Sequence, residues 1–245
     1  MAIEVFNRYE HKYLIDRKSF LRAQEIMSFH MKSDPYNING KPYTIANIYY
    51  DTPDEYLIRN SLEKPAYKEK LRLRAYGVPG MDTKVFLEIK KKYNGIVNKR
   101  QSVLKLSEAY QFTENGILPD YQDYMNPQVL SELSNFLKFY QPIPKLYLAY
   151  DRIAYFEEGN PDLRISFDQN IRSRRFGVAL ELEDYGELLF DQNTHLMEIK
   201  TSLAKPLWLC KMLDELNLSR VSISKYGTEY ARYVSENPSR MVVAV

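Results

Sequence analysis

The sequence contains little of what several classes of protein require. Its 245 residues include one cysteine, Cys210, which excludes a disulfide framework and a thiolate metal cluster. The three histidines, His11, His30 and His195, are scattered along the chain, which argues against a His-rich zinc site. No apolar run approaches the ~20 residues of a membrane helix, and the N-terminus lacks a signal-peptide pattern. We therefore expect a cytoplasmic protein with no membrane span.

An excess of charge of one sign is also missing from the chain as a whole. The formal net charge is only +2, because 34 basic residues are balanced by 32 acidic ones. This balance argues against a chain wrapped whole in nucleic acid, although a local basic surface could still bind RNA or DNA. Such a surface is predicted, because residues 64–105 contain twelve Lys or Arg against three acidic residues.

Strict alternation of basic and apolar residues in that stretch predicts a β-strand. In residues 70–76 (KLRLRAY) the alternation places Arg72 and Arg74 on the same face. The simplest interpretation is a solvated outer face of a sheet, since Lys and Arg are mostly exposed in folded proteins.

Two further strands are predicted directly after it. In residues 85–92 (VFLEIKKK) the acidic Glu88 and the basic Lys90 share one face, and the apolar residues occupy the other. The pair Asn94-Gly95 is a strong hairpin signal before a third strand that carries Lys99. Antiparallel pairing of the three strands would bring their charged side chains onto one surface.

The same pattern recurs on strands predicted elsewhere in the chain. Each of them places charged residues opposite apolar ones: Arg8, Glu10 and Lys12 near the N-terminus, Arg152, Arg164, and Glu198 with Lys200. A Glu-apolar-Lys unit therefore occurs twice, at 88–90 and 198–200. For Glu10 and Lys12 alone, a surface ion pair that contributes little to stability is the simpler interpretation.

Two arrangements would accommodate about eight such strands. A sheet with one face covered by helices leaves the charges in water, whereas a closed antiparallel barrel with outer helices points them inward. Inward charges require a polyanion, because burying many like charges without a partner is costly. Arg and Lys side chains suit successive phosphates, and the carboxylates of Glu10, Glu88 and Glu198 suit a divalent cation that bridges phosphate oxygens. Phosphoryl transfer by positioning and charge neutralisation would follow.

The chain resembles the polyphosphate polymerase domain of the vacuolar transporter chaperone (VTC) family, a branch of the triphosphate tunnel metalloenzymes. The resemblance extends from Arg8 to Tyr226 and is carried by eight strings in order: RYEHKYLI, NIYYDTPD, KLRLRAYG, VFLEIKKKYNGIVNKR, YDRIAY, DLRISFD, LMEIK and ISKYG. It implies an α+β fold with an eight-stranded antiparallel β-barrel, the triphosphate tunnel, and helices on the outside.

The resemblance also implies an activity and roles for individual residues. The terminal phosphate of ATP would pass to a growing polyphosphate chain, with Mn²⁺ or Mg²⁺ held by Glu198. Residues implied in catalysis are Lys12, Arg72, Arg74, Lys90, Arg152 and Arg164. Residues implied in binding ATP and polyphosphate or triphosphate are Lys99, Lys200, Lys225, Glu10 and Glu88. No nucleic acid is expected as a partner, because no aromatic stacking ladder accompanies the basic strands. The sequence indicates no particular partner protein.

Two departures from the family pattern affect these expectations. Arg8 stands where the wider superfamily opens Glu-x-Glu-x-Lys, which removes one acidic metal ligand and argues against a two-metal hydrolase. Ser222 stands where a second Lys is expected ahead of Lys225. A tripolyphosphatase or nucleoside triphosphatase of the same fold, and a non-catalytic polyphosphate-binding module, stay open as alternatives.

A single domain over residues 1–237 is predicted, followed by a tail at 238–245. The predicted helices cover residues 16–31, 53–60, 107–115, 127–140, 206–216 and 222–234. Within the helix at 206–216, Leu207 and Cys210 are expected to face the core.

Overall fold

A computed structural model of the protein describes residues 9–94, 96–202 and 204–238. These residues form an α+β fold of ten strands and six α-helices. The strands are β1 (Tyr9–Ile15), β2 (Lys32–Ser33), β3 (Tyr43–Asp51), β4 (Tyr67–Tyr76), β5 (Lys84–Tyr93), β6 (Ile96–Lys105), β7 (Ile143–Glu157), β8 (Asn160–Arg174), β9 (Glu187–Leu188) and β10 (His195–Thr201). The α-helices are α1 (Arg17–Met27), α2 (Tyr56–Leu62), α3 (Leu106–Asn115), α4 (Pro127–Tyr140), α5 (Leu207–Glu215) and α6 (Lys225–Glu236).

Capping residues explain where several helices begin. The Asp16 side chain accepts a hydrogen bond from the Ser19 amide at 2.8 Å, which satisfies a donor in the first turn of α1. Asn126 caps α4 in the same way, and Pro127 occupies the first helical position, where its missing N–H costs nothing. Ser224 caps α6, so this helix begins at Lys225 and not at residue 222 as predicted.

The chain divides into two compact units. The first contains the residues up to Thr44 together with Tyr150–Ile171 and Leu188–Ile223. Its strands pair antiparallel in the order β1-β10-β8-β7. Helices α1 and α5 supply Phe20, Met27 and Leu209 to a core that also contains Phe167 and Ile199 of the sheet.

The second unit contains Ile45–Ala149, Arg172–Glu187 and the residues from Ser224 onward. Its strands follow the order β7-β3-β4-β5-β6, and the three basic strands β4, β5 and β6 pair antiparallel as predicted. The apolar face of these strands packs on α3 and α4. Residues at alternate strand positions and at helical spacing meet there: Leu71, Leu73, Leu87, Ile89, Phe112, Leu133 and Phe136.

The predicted antiparallel α+β fold is confirmed, but the word barrel describes it only loosely. Among the described residues the sheet is not closed, since β1 and β6 stand at the two ends of the strand order. Ten strands occur in place of eight because the two-residue strands β2 and β9 add short pairings to β7 and β8. The single-domain boundary at 1–237 stays a prediction, and residues 239–245 of the predicted tail lie outside the described residues.

One prediction about the core is wrong. Cys210 is exposed, and 71% of Leu207 is accessible to solvent, whereas Leu209 and Met212 are buried. A helix turns about 100° per residue, so the face that buries Leu209 and Met212 turns Leu207 and Cys210 away. Among the described residues, no helix is both long enough and apolar enough to cross a membrane.

Candidate functional site

The second unit contains a cluster of charged side chains centred on Glu88. Glu88 lies on β5, between β4 and β6, with Arg72 and Gln101 as its register partners. Its neighbours Leu87 and Ile89 point into the core beneath α3 and α4, so Glu88 points to the opposite face. We call Glu88, Arg72, Arg74 and Lys99 the Glu88 cluster.

Three cations surround the Glu88 carboxylate. The Arg72 Nε donates a hydrogen bond to Oε2, and the Lys99 Nζ donates one to Oε1 at 3.2 Å. The Arg74 Nη1 lies 4.0 Å from Oε1. The Glu88 side chain is only 2% exposed. One buried carboxylate therefore organises three cations and leaves an excess of two positive charges.

The surrounding charges keep Glu88 ionised despite its burial. Burial raises the pKa of the Glu88 carboxyl, but the charges of Arg72, Arg74 and Lys99 outweigh it and lower the pKa to about 2. The carboxylate is therefore negative at neutral pH and holds the guanidinium groups in place.

Asn47 positions Arg74 and was not identified from the sequence. Its Oδ1 accepts a hydrogen bond from the Arg74 Nε at 3.0 Å, and its Nδ2 donates to the Leu148 carbonyl at 3.1 Å. Asn47 is fully buried on β3, where its neighbours Ala46 and Ile48 are apolar. A lone amide inside an apolar strand was the available signal, because buried amides need specific hydrogen-bond partners.

Further cations lie on the same face of the second unit. Lys90 stands in register with both Lys70 of β4 and Lys99 of β6. The Lys70 Nζ lies 3.4 Å from Ser224 Oγ and 5.8 Å from the centre of the Tyr226 ring. Lys70 was not among the predicted site residues. Strand pairing therefore extends the basic face beyond the Glu88 cluster.

Lys225 is the first residue of α6 and follows the capping Ser224. A cation at this end of a helix is unfavourable unless an anion is nearby, because the helix N-terminus is itself partly positive. The Lys70 ammonium group also lies near this end of the helix, beside Ser224. Ser222, which replaces an expected Lys, is exposed ahead of the helix, and Arg8 lies outside the described residues.

The first unit contains a second charged cluster, centred on Glu198. Glu198 lies on β10 between Lys12 of β1 and Ser166 of β8. The Lys12 Nζ is 3.0 Å from Glu10 Oε1 and 3.6 Å from Glu198 Oε1. It also donates a hydrogen bond to the Ile223 carbonyl at 3.2 Å. Lys12 thus lies between two carboxylates.

Arg152 makes the corresponding contact on the other side of Glu198. Its Nε and Nη2 bind both oxygens of Asp168, at 2.6 and 2.8 Å, and Nη2 lies 3.3 Å from Glu198 Oε2. Burial lowers the pKa of Arg152, but the charge of Asp168 outweighs burial, so the pKa lies well above its ordinary value. We call Glu10, Lys12, Arg152, Asp168 and Glu198 the Glu198 cluster.

Asp168 was not predicted as a site residue. The available signal was its alternation with the apolar residues Ile165 and Phe167 on β8. Asp168 is fully buried and binds Arg152 through two hydrogen bonds. The Glu198 cluster therefore contains three carboxylates and two cations, the reverse of the charge balance around Glu88.

Lys200 and Arg164 lie beside the Glu198 cluster. Lys200 is in register with Glu10 and with Arg164. Burial lowers the pKa of Lys200, and the charges of Glu198 and Glu10 oppose that shift. Arg164 is exposed. The structure thus brings Glu10, Lys12, Arg152 and Glu198 into one cluster, with Lys200 and Arg164 next to it.

The donor set of the Glu198 cluster fits a hard divalent cation that also binds substrate. Mg²⁺ is commonly held by one or two carboxylates and completes its shell with water and phosphate oxygens. Within the described residues no group of three His, Cys, Asp or Glu side chains has the geometry of a metal site made by protein alone.

The sequence matches the VTC domain over residues 7–234, nearly the whole chain, and the protein belongs to this family. The resemblance noted from the sequence strings is thereby confirmed. No curated protein matches the chain.

Two solved structures share the fold. A proposed adenylate cyclase from Bacillus halodurans is 15% identical, with a TM-score of 0.52 over 88% of this chain and 92% of its own. A proposed adenylyl cyclase from Hippeastrum, described as having a dominant triphosphatase activity, is 13% identical, with a TM-score of 0.52 over 91% of this chain and 95% of its own. At these identities the likeness concerns the fold.

Proposed function

We propose that this VTC-domain protein is a divalent-metal-dependent polyphosphate polymerase. It would transfer the terminal phosphate of ATP to a growing polyphosphate chain and release ADP. Membership of the VTC domain family supports a substrate built of linked phosphates. The observation that carries the proposal is the Glu88 cluster, in which a buried carboxylate holds three cations that retain an excess of positive charge.

The excess of positive charge suits a polyphosphate better than a single carboxylate ligand. Arg72 and Arg74 present planar guanidinium groups that can bind two phosphate oxygens at once. Lys99, Lys90 and Lys225 add ammonium groups, which bind phosphate as point charges. Because every phosphate along a polyphosphate is negative, a row of such cations can bind several in succession.

The transfer needs no covalent intermediate on the protein. A terminal oxygen of the polyphosphate chain attacks the γ-phosphorus of ATP, and the bond from that phosphorus to the β–γ bridging oxygen breaks. ADP leaves with the bonding electron pair, and the chain gains one phosphate. In the second unit, Arg72 and Arg74 would neutralise charge on bound phosphate, and Lys90 would orient it. In the first unit, Lys12, Arg152 and Arg164 would orient bound phosphate.

Glu198 would hold the divalent ion, Mn²⁺ or Mg²⁺, in this proposal. When bound, such an ion would neutralise negative charge on the phosphates. Glu10, Glu88 and Lys200 would act through substrate binding, since Glu88 orients Arg72 and Lys99 and Glu10 pairs with Lys12. ATP as donor agrees with a cytoplasmic location, and nucleic acid is not proposed as a partner.

A second candidate function is hydrolysis of tripolyphosphate or nucleoside triphosphate. The dominant triphosphatase activity of the Hippeastrum protein, which shares the fold, favours this alternative. The same cations would then act with water as the acceptor in place of a phosphate chain. Orthophosphate would be formed, and no chain would grow.

The two functions are separated by incubating the purified protein with ATP and with tripolyphosphate, each with manganese. We expect ADP and a ladder of polyphosphate lengths from ATP. Arg74→Ala and Glu198→Ala should each abolish the ladder, whereas Lys18→Ala, which removes an exposed cation on α1, should preserve it. Orthophosphate without chain growth would establish the hydrolase. A ladder unaffected by both site substitutions would refute the proposed site.

A further inference from the structure

The face of β1 that points away from the Glu198 cluster has a basic group of its own. His11 lies between Glu10 and Lys12 in sequence, so its side chain points to the opposite side of the strand. There it meets Arg220, while Lys205 contacts the neighbouring Tyr13 on the same face. The proposed polymerase mechanism uses none of these three side chains.

Main-chain and side-chain contacts fix the geometry of this group. The Val221 amide donates a hydrogen bond to the Lys12 carbonyl at 2.9 Å, which holds the segment containing Arg220 along β1. The Arg220 Nη2 lies 3.1 Å from His11 Nδ1, and the Lys205 Nζ lies 3.4 Å from the Tyr13 hydroxyl. Arg220 therefore contacts His11 from one loop, and Lys205 contacts Tyr13, on the same face of β1, from another.

The contact with Arg220 determines which imidazole nitrogen carries hydrogen. A guanidinium can only donate, so His11 Nδ1 accepts and Nε2 carries the hydrogen. Burial and the charges of Lys205 and Arg220 lower the pKa of His11 to about 4. The neutral ring therefore presents one N–H donor beside two cations.

The cations of this group have no acidic counterpart among the described residues. Tyr13 is the hydrogen-bond partner of Lys205, His11 is that of Arg220, and no carboxylate pairs with either. The charges that lower the pKa of His11 are those of Lys205 and Arg220, and both are positive. Because like charges repel when they are held together, an added anion would stabilise the arrangement.

We propose that His11, Lys205 and Arg220 form a phosphate-binding site separate from both the Glu88 cluster and the Glu198 cluster. The guanidinium fork, the ammonium group and the imidazole N–H are three kinds of donor that suit the oxygens of one tetrahedral phosphate group. The ligand is either free orthophosphate or one phosphate of a longer chain. The inference does not depend on the polymerase activity.

Trp208 provides a reporter for this site. It is the only tryptophan in the chain, lies three residues after Lys205 at the start of α5, and stacks on His30 at 4.5 Å. Its emission can be followed while orthophosphate or tripolyphosphate is added without ATP or metal, with ionic strength kept constant by chloride. Saturation by orthophosphate would identify the free ion as ligand, and saturation by tripolyphosphate alone would identify a chain.

The test compares two double variants of equal charge. Lys205→Ala with Arg220→Ala should weaken the saturable change at least about tenfold, since each removes a charge-assisted hydrogen bond. Lys18→Ala with Lys211→Ala, which removes two exposed cations outside the group, should leave it unchanged. Thermal unfolding confirms that both variants fold. An unchanged Trp208 emission in the wild type, or equal binding by both double variants, would overturn the proposal. Neither result would bear on ATP turnover.

Discussion

Glu88 and Glu198 occupy the same position in the two Glu-apolar-Lys units, yet they have opposite surroundings. Glu88 forms ion pairs with three cations, Arg72, Arg74 and Lys99. Glu198 shares Lys12 and Arg152 with two further carboxylates, Glu10 and Asp168. Counting formal charges, the Glu88 cluster carries +2 and the Glu198 cluster carries −1.

The difference comes from the strands that pair with each unit. Glu88 is in register with Arg72, and Lys99 lies on the next strand. Glu198 is in register with Lys12, whose strand also carries Glu10, and with Ser166, two residues before Asp168. A short motif therefore does not define a site, because the net charge is determined by residues distant in sequence. A positive cluster favours phosphate, and a cluster rich in carboxylates favours a cation.

The largest predicted effect separates the two carboxylates by metal dependence. In Glu198→Gln, chain synthesis should fall at least about 100-fold, since the proposed metal ligand is lost. The manganese concentration for half-maximal rate should also rise in this variant. Glu88→Gln should slow synthesis with an unchanged manganese midpoint, because it disturbs the phosphate-binding cations only. If the two substitutions shifted the manganese midpoint equally, the division of roles between the clusters would be wrong.

The second prediction compares how much Arg152 and Arg72 contribute to the free energy of unfolding. Arg152→Ala removes two charge-assisted hydrogen bonds from fully buried Asp168, so we expect a loss of about 3–5 kcal/mol in the free energy of unfolding. Arg72→Ala should cost less, because Arg74 and Lys99 remain near Glu88. Denaturant unfolding measures both, with Arg22→Ala, which breaks exposed ion pairs, as the control. Equal losses for Arg152→Ala and Arg72→Ala would contradict this ranking.

The third prediction concerns acid stability of the Glu88 cluster. The pKa of Glu88 is lowered from 4.5 to about 2 in the folded protein. The contribution of the ionised Glu88 to the free energy of unfolding is therefore fully present above pH 4.5. It is lost as the pH falls from 4.5 through about 2. A shift of this size corresponds to roughly 3 kcal/mol.

Unfolding measured across that pH range provides the check. Glu88→Gln should flatten the decline in stability between about pH 4.5 and 2, while Asp120→Asn, at an exposed position, should leave it unchanged. A decline equally steep in Glu88→Gln and in the wild type would show that Glu88 is not the group responsible.

Local periodicity was sufficient to predict many of the strands and helices, and to predict which charged residues lie on the face of a strand opposite the core. Alternation placed Arg72, Arg74, Glu88 and Lys99 on the face opposite the core, and the pairing of β4, β5 and β6 brings them together. The resemblance to the VTC family supplied Lys12, Arg152 and Glu198, which the structure places in one cluster. Whether these residues act in catalysis stays a prediction.

What could not be predicted depends on contacts between distant segments. Asn47 binds Arg74 across 27 residues, and Lys12 approaches Glu198 across nearly the whole chain. Alternation shows on which face of its strand a residue lies, but it does not show which strand lies beside it. The prediction that Cys210 faces the core was wrong for a related reason. Several faces of α5 carry apolar residues, and packing alone decides which face is buried.

The smallest predicted effect concerns Lys99, the most exposed member of the Glu88 cluster, with 45% of its side chain accessible. Lys99→Ala should change the free energy of unfolding by about 0.5 kcal/mol, because water already screens an exposed ion pair. Its hydrogen bond to the buried Glu88 at 3.2 Å nevertheless places the ammonium group beside Arg72 and Arg74.

Chain synthesis by Lys99→Ala should therefore fall about tenfold with almost no change in thermal stability, and added salt should reduce the difference from wild type. Lys84→Ala, an exposed lysine on the neighbouring strand that contacts Tyr124, is the matched control. If Lys99→Ala left synthesis unchanged, the excess charge of the Glu88 cluster would not be what binds the substrate.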